Sequence, residues 1–130
     1  MPIELDHAIV SSHTPEVSGR QLAALLDVPC GSAAAGPFFA VYVNASLTLD
    51  FIATDQPFQI QHLCFRVDEA RFDDILGRLQ RAGIAYRSNV HGPDDGRVNT
   101  TYGGRLLYWN QPDGHQWEIL TVSYARQGIA

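Results

Sequence analysis

The feature that most constrains this 130-residue chain is that it is written twice. DHAIV at 6–10 lies over QHLCF at 61–65, and LTLDFIAT at 47–54 lies over QWEILTV at 116–122 when the acids Asp50 and Glu118 are matched. Each half opens on a histidine and closes on an acid. His7 and His62 stand 55 positions apart, whereas Asp50 and Glu118 stand 68 apart, so the second half carries the extra loop, most simply in HGPDDGRVNTTYGG. Two copies at so long a period imply a pair of like units related by a pseudo-two-fold axis. Such an axis brings His7, Asp50, His62 and Glu118 toward one place.

Hydrophobic periodicity predicts the elements of each half. Residues 3–10 (IELDHAIV) alternate, with Ile3, Leu5, His7 and Ile9 on one side of a strand. Thr14 before Pro15 reads as a helix start, because threonine can cap the first free amides and proline suits the first helical position. Leu22, Leu25 and Leu26 supply its apolar stripe, Pro29 and GSAAAG end it, and FFAVYVNASLTLDFIAT predicts two strands with a turn at 44–46. After TDQPF the order restarts. QIQHLCFRV is a strand, Asp68 a cap, Phe72, Ile75, Leu76 and Leu79 a helix face, and Gly83 a C-terminal cap. Residues 84–122 read as strands broken by HGPDDG, by Gly103 and Gly104, and by QPDG. The fold class is therefore α+β.

The chain has room for one compact domain with a real core, 45% of its residues being hydrophobic, and is too short for two ordinary ones. We expect a single domain over 1–130, with module one at about 3–53 and module two at about 59–123. A net charge of −5 without any basic cluster argues against nucleic acid or an anionic membrane as partner. No apolar run approaches the roughly 20 residues a membrane span needs. MPIELDHAIV has no basic stretch of the kind that opens a secretory signal, which makes Cys30 and Cys64 free thiols of a cytoplasmic protein.

Strand alternation then gives the four repeated positions a chemistry. Around His62, Ile60, Cys64 and Arg66 share its face while Leu63, Phe65 and Val67 suit a helix-packed face. Glu118 shares a face with Gln116 and Leu120, opposite Trp117 and Ile119; Asp50 goes with Thr48 and Ile52, opposite Leu49 and Phe51. All four polar groups point away from the helices. A desolvated carboxylate there costs several kcal/mol unless it is paired or metal-bound. Two imidazoles and one carboxylate form a facial set that leaves positions open on a divalent ion, and Asp50 as a fourth ligand would suit an octahedral ion with two exchangeable sites.

The opening DHAIV, the second QHLCFRV and the closing PDGHQWEIL, with an acid three residues after PDGH, resemble the vicinal oxygen chelate superfamily. That group includes glyoxalase I, extradiol dioxygenases, fosfomycin resistance transferases and bleomycin resistance proteins, and the resemblance runs from about Ile3 to Val122. It implies two βαβββ modules forming a cupped mixed sheet around one divalent metal per site (Fe, Mn, Ni, Zn or Co). His7, His62 and Glu118 fall at family ligand positions, and Asp50 falls where glyoxalase I places a longer glutamate. It also implies a homodimer with each site built from both subunits, a small-molecule substrate, and a metal that stabilises an oxyanion or enediolate on vicinal oxygens.

Two function classes follow. One is a metal-dependent enzyme on a small oxygenated substrate, a lyase or isomerase in which Glu118 or Asp50 also moves a proton, or an oxygenase if the ion is Fe(II). The other is a metal-free protein that sequesters a small molecule. The complete His, His, Glu set favours the enzyme. Arg66, Cys64 and Tyr108 are the candidate substrate contacts, and His115 and Tyr102 are further candidates near the site.

Overall fold

The computed structural model describes residues 2–126, which divide between Gln59 and Ile60 into two compact units. In the first unit β1 (His7–Ser12) leads into α1 (Pro15–Leu26), followed by β2 (Cys30–Ser32), β3 (Phe38–Tyr42) and β4 (Thr48–Ala53). The sheet order is β1-β4-β3-β2, with β1 parallel to β4 and the other pairs antiparallel. First and last strands are thus neighbours. Their register sets His7 opposite Thr48 and Ile9 opposite Asp50.

Alternation decides which face is packed. Val10, Leu49, Phe51, Phe39 and Val41 are buried together with Leu22, Leu25 and Leu26 of α1, while His7 and Ile9 are exposed and Asp50 is half-buried. Gly19 lets α1 approach β3, because a Cβ at that position would lie 2.5 Å from Cδ1 of Phe39.

Three local expectations are corrected. The first strand begins at His7, not Ile3, because its partner β4 begins at Thr48; beyond that, the Thr48 amide donates to the Asp6 carbonyl at 3.0 Å and the ladder stops, leaving Ile3 and Leu5 exposed. The small-residue run opens with a short strand, since Cys30, Gly31 and Ser32 pair with Val41, Ala40 and Phe39. Pro15 does open α1, but the Thr14 side chain makes no capping bond there. The Thr14 amide is instead held by Ser12 Oγ at 3.0 Å.

The second unit repeats the order with β5 (His62–Arg66), α2 (Glu69–Arg81), β6 (Leu106–Asn110) and β7 (Gln116–Leu120). Its sheet order is β5-β7-β6, with β5 parallel to β7 and β6 antiparallel to it. The strand that the repeat places between α2 and β6 survives as two bridges, Arg87 to Tyr108 and Asn99 to Leu106. Between them the loop satisfies its amides locally: Asp95 accepts from the Ser88 and Arg97 backbone N–H groups and from the Ser88 hydroxyl. Arg87, buried, donates to the Val90 carbonyl, to Asp94 and to Asn110, and so fixes the loop to the end of β6.

Helix α2 behaves as its sequence predicts. Asp68 accepts from the Arg71 amide at 2.8 Å, and Phe72, Ile75 and Leu79 are buried. At the other end Gly83, at φ 68°, donates to the Gln80 carbonyl while Ile84 donates to that of Leu79, the paired closure that a left-handed residue permits. Arg105, just before β6, reaches Glu69 and Asp73 of α2 and lies over the Phe72 ring at 4.3 Å. Among the described residues no helix is long and apolar enough to cross a membrane, and Cys30 and Cys64 are both free thiols.

Candidate functional site

The β5–β7–β6 register puts Glu118 between Cys64 on one side and Tyr108 on the other, two residues along from the His62–Gln116 pair. The same arithmetic holds in the first unit, where Asp50 lies between Ile9 and Ala40, two along from the His7–Thr48 pair. The repeat is therefore a repeat of register. What differs is how the side chains use it.

In the second unit they meet. His62 Nε2 lies 3.0 Å from Glu118 Oε1, and Glu118 is 0% exposed while the imidazole is 40% exposed. His62 Nδ1 lies 3.2 Å from the Gln116 carbonyl oxygen. A carbonyl can only accept, so Nδ1 carries a hydrogen, and the neutral ring then turns its Nε2 lone pair toward the carboxylate. Two lone pairs facing each other at that distance need a cation between them, either a proton or a metal ion. A metal-binding histidine commonly donates its other nitrogen to a backbone carbonyl in this way. About 3 Å is also the spacing of two ligands at right angles with bonds of about 2.1 Å. The donor pair fits a divalent ion.

Glu118 is closed off by residues that the repeat does not announce. The Tyr124 hydroxyl lies 2.8 Å from Oε1 and 2.9 Å from Oε2. It also shares a hydrogen bond with the Tyr108 hydroxyl, and its ring meets that of Tyr102 at 4.9 Å. Tyr108 packs with Leu106 and Leu120, and Val90 and Tyr124 lie against that cluster. Burial, then the Tyr108 hydroxyl and the Glu118 carboxylate, push the Tyr124 phenol far above its ordinary range, so it stays a donor. Burial raises Tyr108 as well. The Cys64 thiol is pushed up first by desolvation and then by the Glu118 charge, which keeps it protonated at neutral pH.

In the first unit His7 turns elsewhere. Its Nδ1 lies 2.9 Å from Asp6 Oδ2, both groups being exposed. That hydrogen bond, with the charges of Asp6 and Asp50, raises His7 above the ordinary imidazole value. Beside it is a cavity of about 340 Å³ whose polar end is Asp6, His7, Thr48 and Asp50 and whose apolar walls are Ala33, Ala34, Ala35, Phe38, Ala40 and Tyr42.

Of the residues singled out from sequence, His62, Glu118, Cys64 and Tyr108 come together in the second unit, and His7 and Asp50 share the first-unit cavity. Among the described residues no group of three or more His, Cys, Asp or Glu converges on one point. Arg66 is exposed on the His62 side of β5. His115 is fully buried and holds the backbone, its Nδ1 accepting from the Gln61 amide at 2.9 Å while its ring stacks on Trp117. That bond clamps the residue next to His62 onto the β6–β7 turn. Tyr124 escaped the sequence reading: it follows the end of β7, so strand parity gives no indication of where its side chain falls.

No family model and no curated protein matches the sequence. Solved structures do. The chain is similar to Oxidase ChaP-H2 (36% identity, 95% of this chain and 97% of that one, TM-score 0.88). It is similar to Oxidase ChaP-H1 at 37% identity, over 95% and 98% of the two chains, with TM-score 0.87. A glyoxalase/dioxygenase from Nostoc punctiforme shares the fold at 18% identity, over 92% and 91%, with TM-score 0.68. With likeness of that extent over nearly all of both chains, and with the strand-helix-strands unit repeated in matching register, the chain belongs to the vicinal oxygen chelate superfamily.

Proposed function

We propose that the protein is a metal-dependent oxidase acting on a small oxygenated molecule. The observation that carries this reading is the His62–Glu118 pair, a buried carboxylate whose one oxygen faces an imidazole lone pair at 3.0 Å. His62 and Glu118 are two of the metal donors, His7 is the third, and Asp50 is the candidate fourth. When bound, a redox-active divalent ion such as Fe(II) supplies Lewis acidity toward vicinal substrate oxygens and a path for electrons to an oxidant. The likeness to two proteins named as oxidases supports oxidation over the isomerase and lyase chemistry that the superfamily also hosts.

The remaining work falls to the chain's own side chains. The cavity beside His7 offers apolar walls and a polar end, an arrangement that orients a small ligand by a few placed groups. Asp50, half-buried at that end, is placed to accept a proton from a substrate hydroxyl. The Gln116 carbonyl fixes the His62 ring, and His115 fixes the strand that carries it.

The test combines metal analysis with turnover. Protein reconstituted anaerobically with Fe(II) or Mn(II) should hold about one ion per subunit and consume dioxygen with a compound bearing adjacent oxygens. Glu118→Ala should abolish metal uptake; stoichiometric metal in that variant removes Glu118 from the site. Asp50→Asn should weaken the metal about as much as His7→Ala if Asp50 is a ligand, and near-native affinity assigns the three-ligand set. A homodimer would elute at twice the 14.3 kDa of the chain, and a fully metallated monomer contradicts a site shared between subunits. Tight binding of the compound without turnover would instead mark a sequestering protein.

A further inference from the structure

We propose that Tyr124 is a positioning residue that confines Glu118 to metal binding through one oxygen, Oε1. The proposal rests on the reading of His62 and Glu118 as metal donors. A hydroxyl 2.8 Å from one carboxylate oxygen and 2.9 Å from the other sits between the two, in the direction from which a cation would be chelated by both. The chelating side of Glu118 is thus taken; Oε1 faces His62 Nε2, and the Cys64 thiol of the neighbouring strand also hydrogen-bonds the carboxylate.

The phenol is itself held. Its ring packs against Tyr102 at 4.9 Å and against the cluster of Leu106, Tyr108 and Leu120. Glu118 is fully buried, so bulk solvent does not reach its carboxylate. The last torsion of a glutamate is broad and roughly two-fold, so without the hydroxyl the carboxylate plane is free to turn and present both oxygens to an ion. Tyr124→Phe removes only the hydroxyl and leaves the ring packing in place. Loss of such an outer partner weakens metal binding by about 10–100-fold in well-studied sites.

The experiment titrates the full-length metal-free chain, its Tyr124→Phe variant and its Tyr102→Phe variant with Co(II), reading affinity by calorimetry and coordination by the visible ligand-field spectrum. Tyr124→Phe should bind about tenfold or more weakly with an altered band position or intensity, while Tyr102→Phe should match wild type on both. An affinity within twofold of wild type and an unchanged spectrum for Tyr124→Phe overturn the inference while leaving the metal site standing. Equal losses in both variants also overturn it, since removing a hydroxyl that is not the one on the Glu118 carboxylate would then matter as much. A wild-type chain that takes up no Co(II) overturns both the inference and the reading beneath it.

Discussion

Replacing Glu118 by glutamine should leave the metal-free protein about as stable as wild type, or more so, while removing its response to metal. The carboxylate is fully buried and contacts His62 Nε2 at 3.0 Å and the Tyr124 hydroxyl at 2.8 and 2.9 Å. A glutamine in the same rotamer satisfies the same neighbours without charge: its carbonyl accepts from Tyr124, and its amide donates to His62 Nε2, whose Nδ1–H stays on the Gln116 carbonyl. Charge-assisted bonds of about 1.5–3 kcal/mol become neutral ones of about 0.5–1.5, and the loss is offset by relief of a desolvation cost of several kcal/mol. Glu118→Ala is the contrast. It strands the Tyr124 hydroxyl and opens a cavity, at a cost of about 3–5 kcal/mol. For a 130-residue chain an unfolding entropy of about 2.1 cal/mol/K per residue makes 1 kcal/mol worth about 4 °C. Scanning calorimetry in chelator should therefore put Glu118→Gln within about 4 °C of wild type or above it, and Glu118→Ala more than about 10 °C below. Metal at a hundredfold excess over Kd adds about 2.7 kcal/mol, so wild type alone should gain about 10 °C. A Glu118→Gln variant melting more than about 8 °C below wild type in chelator, or one that keeps the metal shift, refutes the reasoning, because the carboxylate would then serve the fold and not the ion.

Other outcomes can be read from the same geometry. Asp6 holds His7 above the ordinary imidazole value, and a ligand must be deprotonated to bind metal; metal uptake should fall as pH drops through the raised His7 value, and Asp6→Asn should move that midpoint to lower pH, as a pH series of metal titrations would show. The ion pair itself is fully present below the unfolded imidazole value and is lost as pH rises through the folded one. Cys64 is exposed, yet local desolvation and the Glu118 charge raise its thiol, so iodoacetamide should label it slowly at neutral pH, and Glu118→Gln should speed that labelling as followed by peptide mass spectrometry. Gly83→Ala meets nothing within 4 Å but must hold φ 68°, and should cost about 1–2 kcal/mol in urea unfolding through backbone strain alone.

Much of this was legible in the sequence, for a physical reason that also marks where reading stopped. The His-to-acid repeat survived into structure because strand period and parallel register carry it: His7 and His62 each sit two residues before the partner of an acid. The α2 caps were legible because Asp68 and Gly83 act on their own neighbours. The Thr14 side chain leaves the first helical amides uncapped: its hydroxyl lies 3.4 Å from Ser18 Oγ, while its own amide donates to Ser12 Oγ of the preceding strand, an arrangement set by that strand and not by the helix sequence. The short β2 was missed because glycine, serine and cysteine carry little strand preference and are held there by β3. Tyr124 and Arg87 act through a turn and a loop, where no period relates sequence position to direction. The different fates of the two histidines, one turned to Asp6 and one to Glu118, depend on rotamers that a pattern of residue types does not encode.

The strand orders β1-β4-β3-β2 and β5-β7-β6 carry a consequence for biosynthesis. In each unit the histidine strand lies at a sheet edge, and its one hydrogen-bonded neighbour is the last strand of that unit to leave the ribosome. The β5–β7 pairing joins His62 to Gln116 across 54 positions, so β5 waits without its strand partner until β7 (Gln116–Leu120) has emerged. Contacts of such separation form slowly, after the local helix and hairpin. The His62–Glu118 pair is accordingly among the final contacts of the second unit to assemble, and its geometry reports that the unit is complete.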